Sequence, residues 1–191
     1  VEMVNITSRD PGPPPLDYIR RSGGIFRDMT IHDFDMARWL LGAEPVAVAA
    51  FGAVLTDPAI GAAGDLDSVN VLLETADGRQ ATISNSRRAT YGYDQRIEVL
   101  GSAGMIAAEN QREVSIEIAT GEGFTRPPLL DFFMTRYTAA YAAEIATFIA
   151  GLSGATPLSP SGEDGLAALA LAEAAVRSAA EGRKVRLSEI L

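Results

Sequence analysis

Asp28 and His32 are the two side chains of this sequence whose types and spacing best suit proton transfer. His32 is the only histidine, and Asp28 precedes it by four residues in Asp28-Met29-Thr30-Ile31-His32. On a helix, residues at this spacing share a face with Cβ atoms about 5–6 Å apart, close enough for a carboxylate to bond one imidazole nitrogen. Such a bond fixes the tautomer and leaves the other nitrogen free to exchange a proton. The pair is therefore a candidate for an oriented general base.

The same two residues also have a purely structural interpretation. An aspartate in a first helical turn is favoured by the helix dipole, and a single histidine is often only the partner of a carboxylate. The preceding Gly23-Gly24 favours the functional interpretation, because paired glycines let a backbone or a ligand approach closely at a helix entrance. Spacing alone leaves both interpretations open.

Two further acids, Asp33 and Asp35, raise the question of a metal site. Asp33 is rotated about 100° from the face shared by Asp28 and His32, and Asp35 comes round only near the edge of that face. Two good ligands are too few for a closed site. We therefore expect no metal here, and a metal-dependent isomerase is only a third hypothesis.

Tyrosines supply the remaining candidate ligand-binding groups. Tyr91-Gly92-Tyr93 lies in a loop of the predicted sheet, where phenol groups could hold a hydroxylated ligand or simply pack at a strand end. A second set of aromatic residues recurs at helical spacing, which favours places in the core: Phe132, Phe133, Tyr137 and Tyr141.

Helices must position most of these side chains. A helix of about four turns is predicted from Ile25 to Leu41, because apolar residues recur at helical spacing and Gly42 follows as a stop. A short helical turn is predicted at Leu16–Arg21. Two more helices are predicted near the end of the chain: about Phe132 to Ala150, ended by Gly151, and about Gly162 to Ala180, ended by Gly182.

Between the helices the sequence is typical of β-strands. After an opening strand within Val1–Asp10, the segments rich in Val, Ile and Thr are Val46–Leu55, Ser68–Glu74, Gln80–Arg87, Gln95–Leu100, Gly104–Ala108 and Val114–Ala119. Asp77-Gly78 and Gly101–Gly104 are turn sequences that join neighbouring segments as hairpins. The order predicts an α+β fold: an open, mainly antiparallel meander with helices packed on one face.

Composition excludes several classes of protein. The chain has 191 residues, no cysteine, and 16 Lys+Arg against 25 Asp+Glu, a net charge of −9. The absence of cysteine excludes thiol chemistry and disulfides. The negative net charge disfavours nucleic acid and anionic lipid as partners. No apolar run approaches the ~20 residues of a membrane span, so we expect a cytoplasmic protein. The opening strand has no initiator Met, so we expect the chain to be the interior of a longer protein.

Several motifs together resemble a known family. They are Ser8-Arg9-Asp10-Pro11, the run from Tyr18 to Leu40 with its core Gly23-Gly24-Ile25-Phe26-Arg27-Asp28-Met29-Thr30-Ile31-His32-Asp33-Phe34-Asp35, then Tyr91–Arg96, and Arg136-Tyr137 with Ala140-Tyr141 and Glu144. The sequence resembles the C-terminal half of inositol 2-dehydrogenases, in the glucose-fructose oxidoreductase/inositol dehydrogenase/MocA family. The resemblance covers essentially residues 1–191, which it implies are one substrate-binding and oligomerisation domain.

The resemblance implies roles for individual residues. The histidine matched by His32 takes the hydroxyl proton of a cyclic polyol or sugar, such as a myo-inositol-like substrate, while the carbon gives a hydride to NAD or NADP. Asp28 orients His32 and stabilises the imidazolium. Other implied residues are hydroxyl binders and one cofactor neighbour: Asp10, Asp35, Tyr91 and Tyr93 toward substrate, and Tyr137 toward the cofactor.

The resemblance also implies what lies outside this chain. Family members begin with a Rossmann domain that carries the glycine-rich dinucleotide loop and a catalytic lysine, and neither is present here. The isolated chain is then expected to be inactive, and its bare sheet face is expected to build a dimer or tetramer. The alternative hypothesis is a catalytically silent oligomerisation or ligand-binding module in which Asp28 and His32 are only a helix ion pair.

Overall fold

The computed structural model describes residues 1–154 and 157–191 as strands and helices around one main sheet. The strands are β1 (Met3–Arg9), β2 (Pro45–Ala53), β3 (Ser68–Thr75), β4 (Gln80–Ser86), β5 (Asp94–Gly101), β6 (Gly104–Ala108), β7 (Ile118–Thr120), β8 (Gly123–Thr125) and β9 (Val185–Arg186). The helices are α1 (Leu16–Ser22), α2 (Ile25–Asp28), α3 (Thr30–Leu41), α4 (Pro58–Ala62), α5 (Phe133–Arg136), α6 (Thr138–Leu152) and α7 (Gly162–Glu181), followed by a 3₁₀ turn at Leu187–Glu189.

The main sheet has seven strands in the order β6-β5-β1-β4-β3-β2-β9. The β1–β4 pair is parallel, and the other pairs of this sheet are antiparallel. The predicted antiparallel character is therefore confirmed, but the simple meander was wrong because β1 inserts between β4 and β5. Because β1 lies between them, β4 and β5 are about 10 Å apart instead of being adjacent. The connection from Ser86 to Asp94 is longer than a tight hairpin, so it can cross over β1.

The core lies between one face of the sheet and the helices α3 and α7. Along β1 and β3 every second residue is buried, as period-two strands require. From the helices, Phe34 and Leu41 of α3 and a series of alanines of α7 complete the core. Alanines allow the α7 backbone to lie close to the sheet, so helices on one face are confirmed.

Three predicted element boundaries were wrong. The helix from Ile25 to Leu41 is interrupted at Met29, whose φ of −111° and ψ of −57° separate α2 from α3. The helix predicted from Phe132 is likewise interrupted at Tyr137 and continues through Gly151 to Leu152. Of the segment predicted as a strand from Val114, only its end forms β7. Helical periodicity survives a one-residue break, so spacing could not reveal either interruption.

The aromatic residues expected in the core around α5 and α6 lie at the surface instead. Phe132, Phe133 and Tyr141 are 46%, 37% and 40% exposed, and no residue of α6 is buried. Apolar spacing along α6 therefore marks an exposed apolar helix, not a core helix. Within the described ranges, no helix is both long and apolar enough to cross a membrane.

Candidate active site

His32 lies in the first turn of α3, and its side chain is exposed. Helix α3 packs on β1 and β4 close to the ends of these strands, so polar groups from the strand ends gather around its first turn. Because the imidazole is not enclosed by neighbours, it is accessible to a ligand. This accessibility distinguishes it from a histidine that merely fills a core position.

Asp28 ends α2, and its carboxylate is held by partners other than His32. The Tyr18 hydroxyl donates to Oδ1 at 2.5 Å, and the Arg87 guanidinium donates to Oδ2 at 3.0 and 3.1 Å. The predicted Asp28–His32 hydrogen bond is not formed between these described residues. The break at Met29 explains the difference, because it removes the continuous helical geometry that the spacing argument assumed.

Arg87 follows β4 and is the largest fully buried side chain of the described residues. Besides Asp28 it contacts Asp65, whose Oδ2 lies 3.3 Å from Nη2. Sequence reasoning missed Arg87, because one arginine at the end of a strand carries no spacing signal. The sequence pattern that comes closest to indicating it is the alternation along Gln80–Ser86, because Arg87 is in phase with the buried residues of this strand.

Asp33 points into the protein, away from the exposed surface at His32. It is 7% exposed and accepts hydrogen bonds from Ser8 Oγ at 2.8 Å and from Asn85 Nδ2 at 2.6 Å. Burial raises the pKa of Asp33 to about 6, and the two hydrogen bonds and nearby His32 offset only part of this effect. The result is a buried acid that titrates close to neutrality beside the histidine.

Asp10 follows β1 and lies near the other ionisable groups. Its pKa is raised to about 6: burial has the largest effect, Asp28 and Asp33 also raise it, and Arg87 and His32 lower it. These mutual influences place five ionisable groups in one region, of which three are the predicted residues Asp10, Asp28 and His32. Clusters of perturbed acids around an exposed histidine are typical of functional sites.

Tyr93 and Tyr137 form a second part of this region. Their rings meet edge to face, with centroids 6.2 Å apart and planes at 87°, and the Tyr137 hydroxyl donates to Gln95 Oε1 at 3.2 Å. Burial raises the pKa of both phenols, and the charges of Asp10 and Asp33 raise that of Tyr93 further. Both tyrosines therefore stay protonated and can donate hydrogen bonds at neutral pH.

Tyr91 faces a different group of residues. Its hydroxyl donates to Asp94 Oδ2 at 2.5 Å and accepts from Arg9 Nη1 at 3.1 Å, beside a concavity of about 460 Å³ lined by Arg96, Arg112 and Arg126 among others. Gly92 separates the two phenols with a φ of +120°, and a Cβ there would lie 2.9 Å from Leu129 Cβ. The two tyrosines predicted as one pair thus have separate surroundings.

Asp35 is half-buried on α3, and Arg38 Nη1 donates to its Oδ1 at 3.2 Å. The same arginine contacts Glu44 and Asp164, so its one positive charge is shared among three acids. Within the described ranges, no three His, Cys, Asp or Glu side chains come together in a way that could hold a metal ion.

The described sheet has one parallel pair, and its strands are not arranged as the βαβ unit that holds a dinucleotide. The residues around His32 include acids and phenols, which suit the hydroxyl groups of a neutral ligand, and one arginine, Arg87, which is paired with acids.

Comparisons with known proteins agree with this geometry. The family described as "Oxidoreductase family, C-terminal alpha/beta domain" matches residues 1–187. The chain is 73% identical to the inositol 2-dehydrogenase of Rhizobium meliloti (strain 1021), over 98% of the chain and 57% of that protein. The chain therefore spans a little over half of this relative's length.

Two solved structures extend the comparison. A myo-inositol dehydrogenase from Corynebacterium glutamicum is 48% identical with a TM-score of 0.94, over 97% of this chain and 56% of that one. A scyllo-inositol dehydrogenase from Lactobacillus casei with bound NAD(H) and scyllo-inositol is 26% identical with a TM-score of 0.87, over the same shares. The chain belongs to the glucose-fructose oxidoreductase/inositol dehydrogenase/MocA family of oxidoreductases, as its C-terminal alpha/beta domain.

Proposed function

We propose that this domain supplies the substrate site and the general base of an NAD(P)-dependent oxidoreductase that converts a secondary hydroxyl of a cyclic polyol, such as an inositol, to the ketone. The observation that carries the proposal is the exposed His32 beside the half-buried Asp10 and the buried Asp33. The inositol dehydrogenase relatives support the substrate class, and the NAD(H) in the Lactobacillus casei structure supports the cofactor.

His32 accepts the proton of the reacting hydroxyl as the carbon–hydrogen bond breaks. The bound nicotinamide supplies the hydride acceptor. The imidazolium that forms is stabilised by the negative charge of Asp28, which Tyr18 and Arg87 hold in place. This role is electrostatic, because the structure has no Asp28–His32 hydrogen bond.

The other hydroxyl groups of the polyol are bound by acids and phenols. Asp10 accepts hydrogen bonds from hydroxyls, and the protonated phenol of Tyr93 donates to them. Asp35 and Tyr91 serve the same purpose at the periphery, while Tyr137 lies toward the cofactor. A neutral polyol needs no cationic pocket, which agrees with the pairing of the Arg87 guanidinium with Asp28 and Asp65.

The proposal is tested by His32→Ala in the protein that joins this domain to its nucleotide-binding half. We expect kcat to fall about 10³-fold, in the range attributed to general-base catalysis, while affinity for the nicotinamide cofactor is retained. Met36→Leu, on an exposed position one turn further along α3, is the matched control. Near-normal turnover of the His32→Ala protein would refute the proposal.

The open face of the sheet is the proposed self-association surface. Phe51 is 74% and Leu72 is 42% exposed on strands whose opposite side is packed in the core. A Leu72→Lys substitution should lower the sedimentation-derived mass from a dimer or tetramer to a smaller species. If His32→Ala is silent but Leu72→Lys dissociates the protein, the alternative of a non-catalytic oligomerisation module is the correct one.

A further inference from the structure

Arg87 is buried more completely than a charged side chain usually is, and its contacts are with acids. The residue is 1% exposed, and both Nη1 and Nη2 donate to the same oxygen, Asp28 Oδ2, at 3.1 and 3.0 Å. Nη2 also lies 3.3 Å from Asp65 Oδ2. One guanidinium therefore connects two carboxylates.

Asp65 is itself fixed by the backbone. Its Oδ1 accepts hydrogen bonds from the amides of Ile25, at 2.9 Å, and of Leu66, at 2.8 Å. Ile25 is the first residue of α2 and Asp28 is the last. Arg87 is thus anchored to the beginning of this short helix through Asp65 while it holds the carboxylate at the helix end.

The remaining oxygen of Asp28 is held by Tyr18, whose hydroxyl donates to Oδ1 at 2.5 Å. With both oxygens bonded, the carboxylate is held in one orientation. We infer that Arg87 is a positioning residue for the proposed proton transfer: it fixes the Asp28 carboxylate relative to His32. The inference rests on the proposed function, because it assigns Arg87 a part in that same site.

A purely stabilising role explains Arg87 less well. Buried ion pairs gain little over well-packed apolar residues, because desolvation offsets the Coulomb attraction. Moreover, Arg87 Nε is buried and has no hydrogen-bond partner among the described residues, which adds a further cost. An arginine here is therefore better explained by the orientation it gives to Asp28 than by a gain in stability.

Three variants of the full-length protein separate positioning from stability. Arg87→Met removes the donors, Arg87→Lys keeps the charge with a different donor geometry, and Glu173→Gln leaves the contacts of Arg87 in place. Glu173→Gln is the matched control, because it weakens another ion pair of α2, that of Arg27 with Glu173, without touching Asp28 or Arg87. Circular dichroism and thermal unfolding show that each variant is folded.

For Arg87→Met we expect kcat to fall about 10²-fold with little change in KM, as for a misplaced reacting group. Arg87→Lys should recover part of kcat, and Glu173→Gln should keep most of kcat. The ring signals of His32, assigned by their loss in His32→Ala, provide a second readout by NMR. They should shift in Arg87→Lys and remain in place in Glu173→Gln.

Two outcomes would overturn the inference. One is that Arg87→Met and Arg87→Lys lower kcat only in proportion to their loss of stability, with unmoved His32 signals, since Arg87 would then be structural only. The other is that Arg87→Lys keeps full kcat and unmoved signals. Failure of the proposed function is recognised separately, by turnover that survives His32→Ala, and the NMR comparison remains decisive in that case.

Discussion

Asp33 and Asp94 are two buried carboxylates whose surroundings give opposite results. Asp33 is 7% and Asp94 0% exposed, so both lose the hydration that favours the charged form. Burial raises the pKa of Asp33 to about 6. At Asp94 burial also acts to raise the pKa, but hydrogen bonds from Arg96, Tyr91 and Asn110 outweigh it and lower the pKa to about 2.

The two carboxylates differ in their hydrogen-bond donors. Asp94 receives two guanidinium hydrogen bonds from Arg96, at 2.7 and 2.9 Å, besides the phenol and amide donors. Asp33 receives only the neutral donors of Ser8 and Asn85. A fully compensated acid such as Asp94 stabilises the fold, whereas an incompletely compensated one such as Asp33 stores an unfavourable charge beside His32.

The largest expected effect is that of Asp94→Asn. Loss of the charge removes the attraction to Arg96, and the amide cannot accept all the donors that the carboxylate accepts. We expect the free energy of unfolding at pH 7 to fall by about 3 kcal/mol, measured by urea denaturation.

The pH dependence gives the control for this variant. Because the folded-state pKa of Asp94 is low, its stabilisation is present above about pH 4 and is lost as the pH falls toward 2. The difference between wild type and Asp94→Asn should therefore shrink over that range. A difference that is constant from pH 7 to pH 2 would show that the charge of Asp94 contributes nothing.

The opposite sign is expected for Asp33→Asn. The folded-state pKa is raised, so the contribution of Asp33 to the free energy of unfolding should fall as the pH rises from about 4 to about 6. In the variant, the amide oxygen at position 33 still accepts from Ser8, and its Nδ2 can donate to Asn85 Oδ1 once the Asn85 amide turns over, because Asn85 Nδ2 is the atom that faces position 33 in the described structure. We expect a gain of about 2 kcal/mol at pH 7 and little gain at pH 4, by urea denaturation.

The Asp33 result would decide the comparison. A loss of stability at pH 7, equal in sign to that of Asp94→Asn, would mean that the charge at position 33 is compensated after all. Turnover of the full-length protein should be measured alongside, because a gain in stability with a loss of kcat would indicate that the unfavourable charge serves the site.

Much of this architecture could be predicted from the sequence, because strands and helices are encoded locally. The period-two segment predicted at Ser68–Glu74, which forms β3, and the helix stop predicted at Gly182 depend on neighbouring residues only, and both are confirmed. The insertion of β1 between β4 and β5 was not, because strand pairing across the chain leaves no local pattern.

The candidate site, like the fold, was only partly predictable from the sequence. Asp28, His32 and Asp10 were identified from motifs, and the structure brings them into one region. The partner of Asp28 was wrongly predicted, because Tyr18 and Arg87 reach it from elements distant in sequence. Side chains that meet only through tertiary packing, Arg87 above all, cannot be assigned from spacing within one helix.

The smallest expected effect is that of Ser8→Ala, which removes one of the two donors of Asp33. The Ser8 hydroxyl lies 2.8 Å from Asp33 Oδ1 and lowers the pKa of that acid, so its loss should raise the pKa further. We expect a loss of about 1 kcal/mol in the free energy of unfolding at pH 7. Near pH 4, where Asp33 is protonated, the loss should be smaller, because a hydrogen bond to a neutral acid is weaker.

The control is Ser84→Ala. Strand alternation places Ser84 on the opposite face of the sheet from Asn85, so we expect a small effect that does not depend on pH. An equal loss at both pH values for Ser8→Ala would show that its hydroxyl supports the fold without regard to the charge of Asp33.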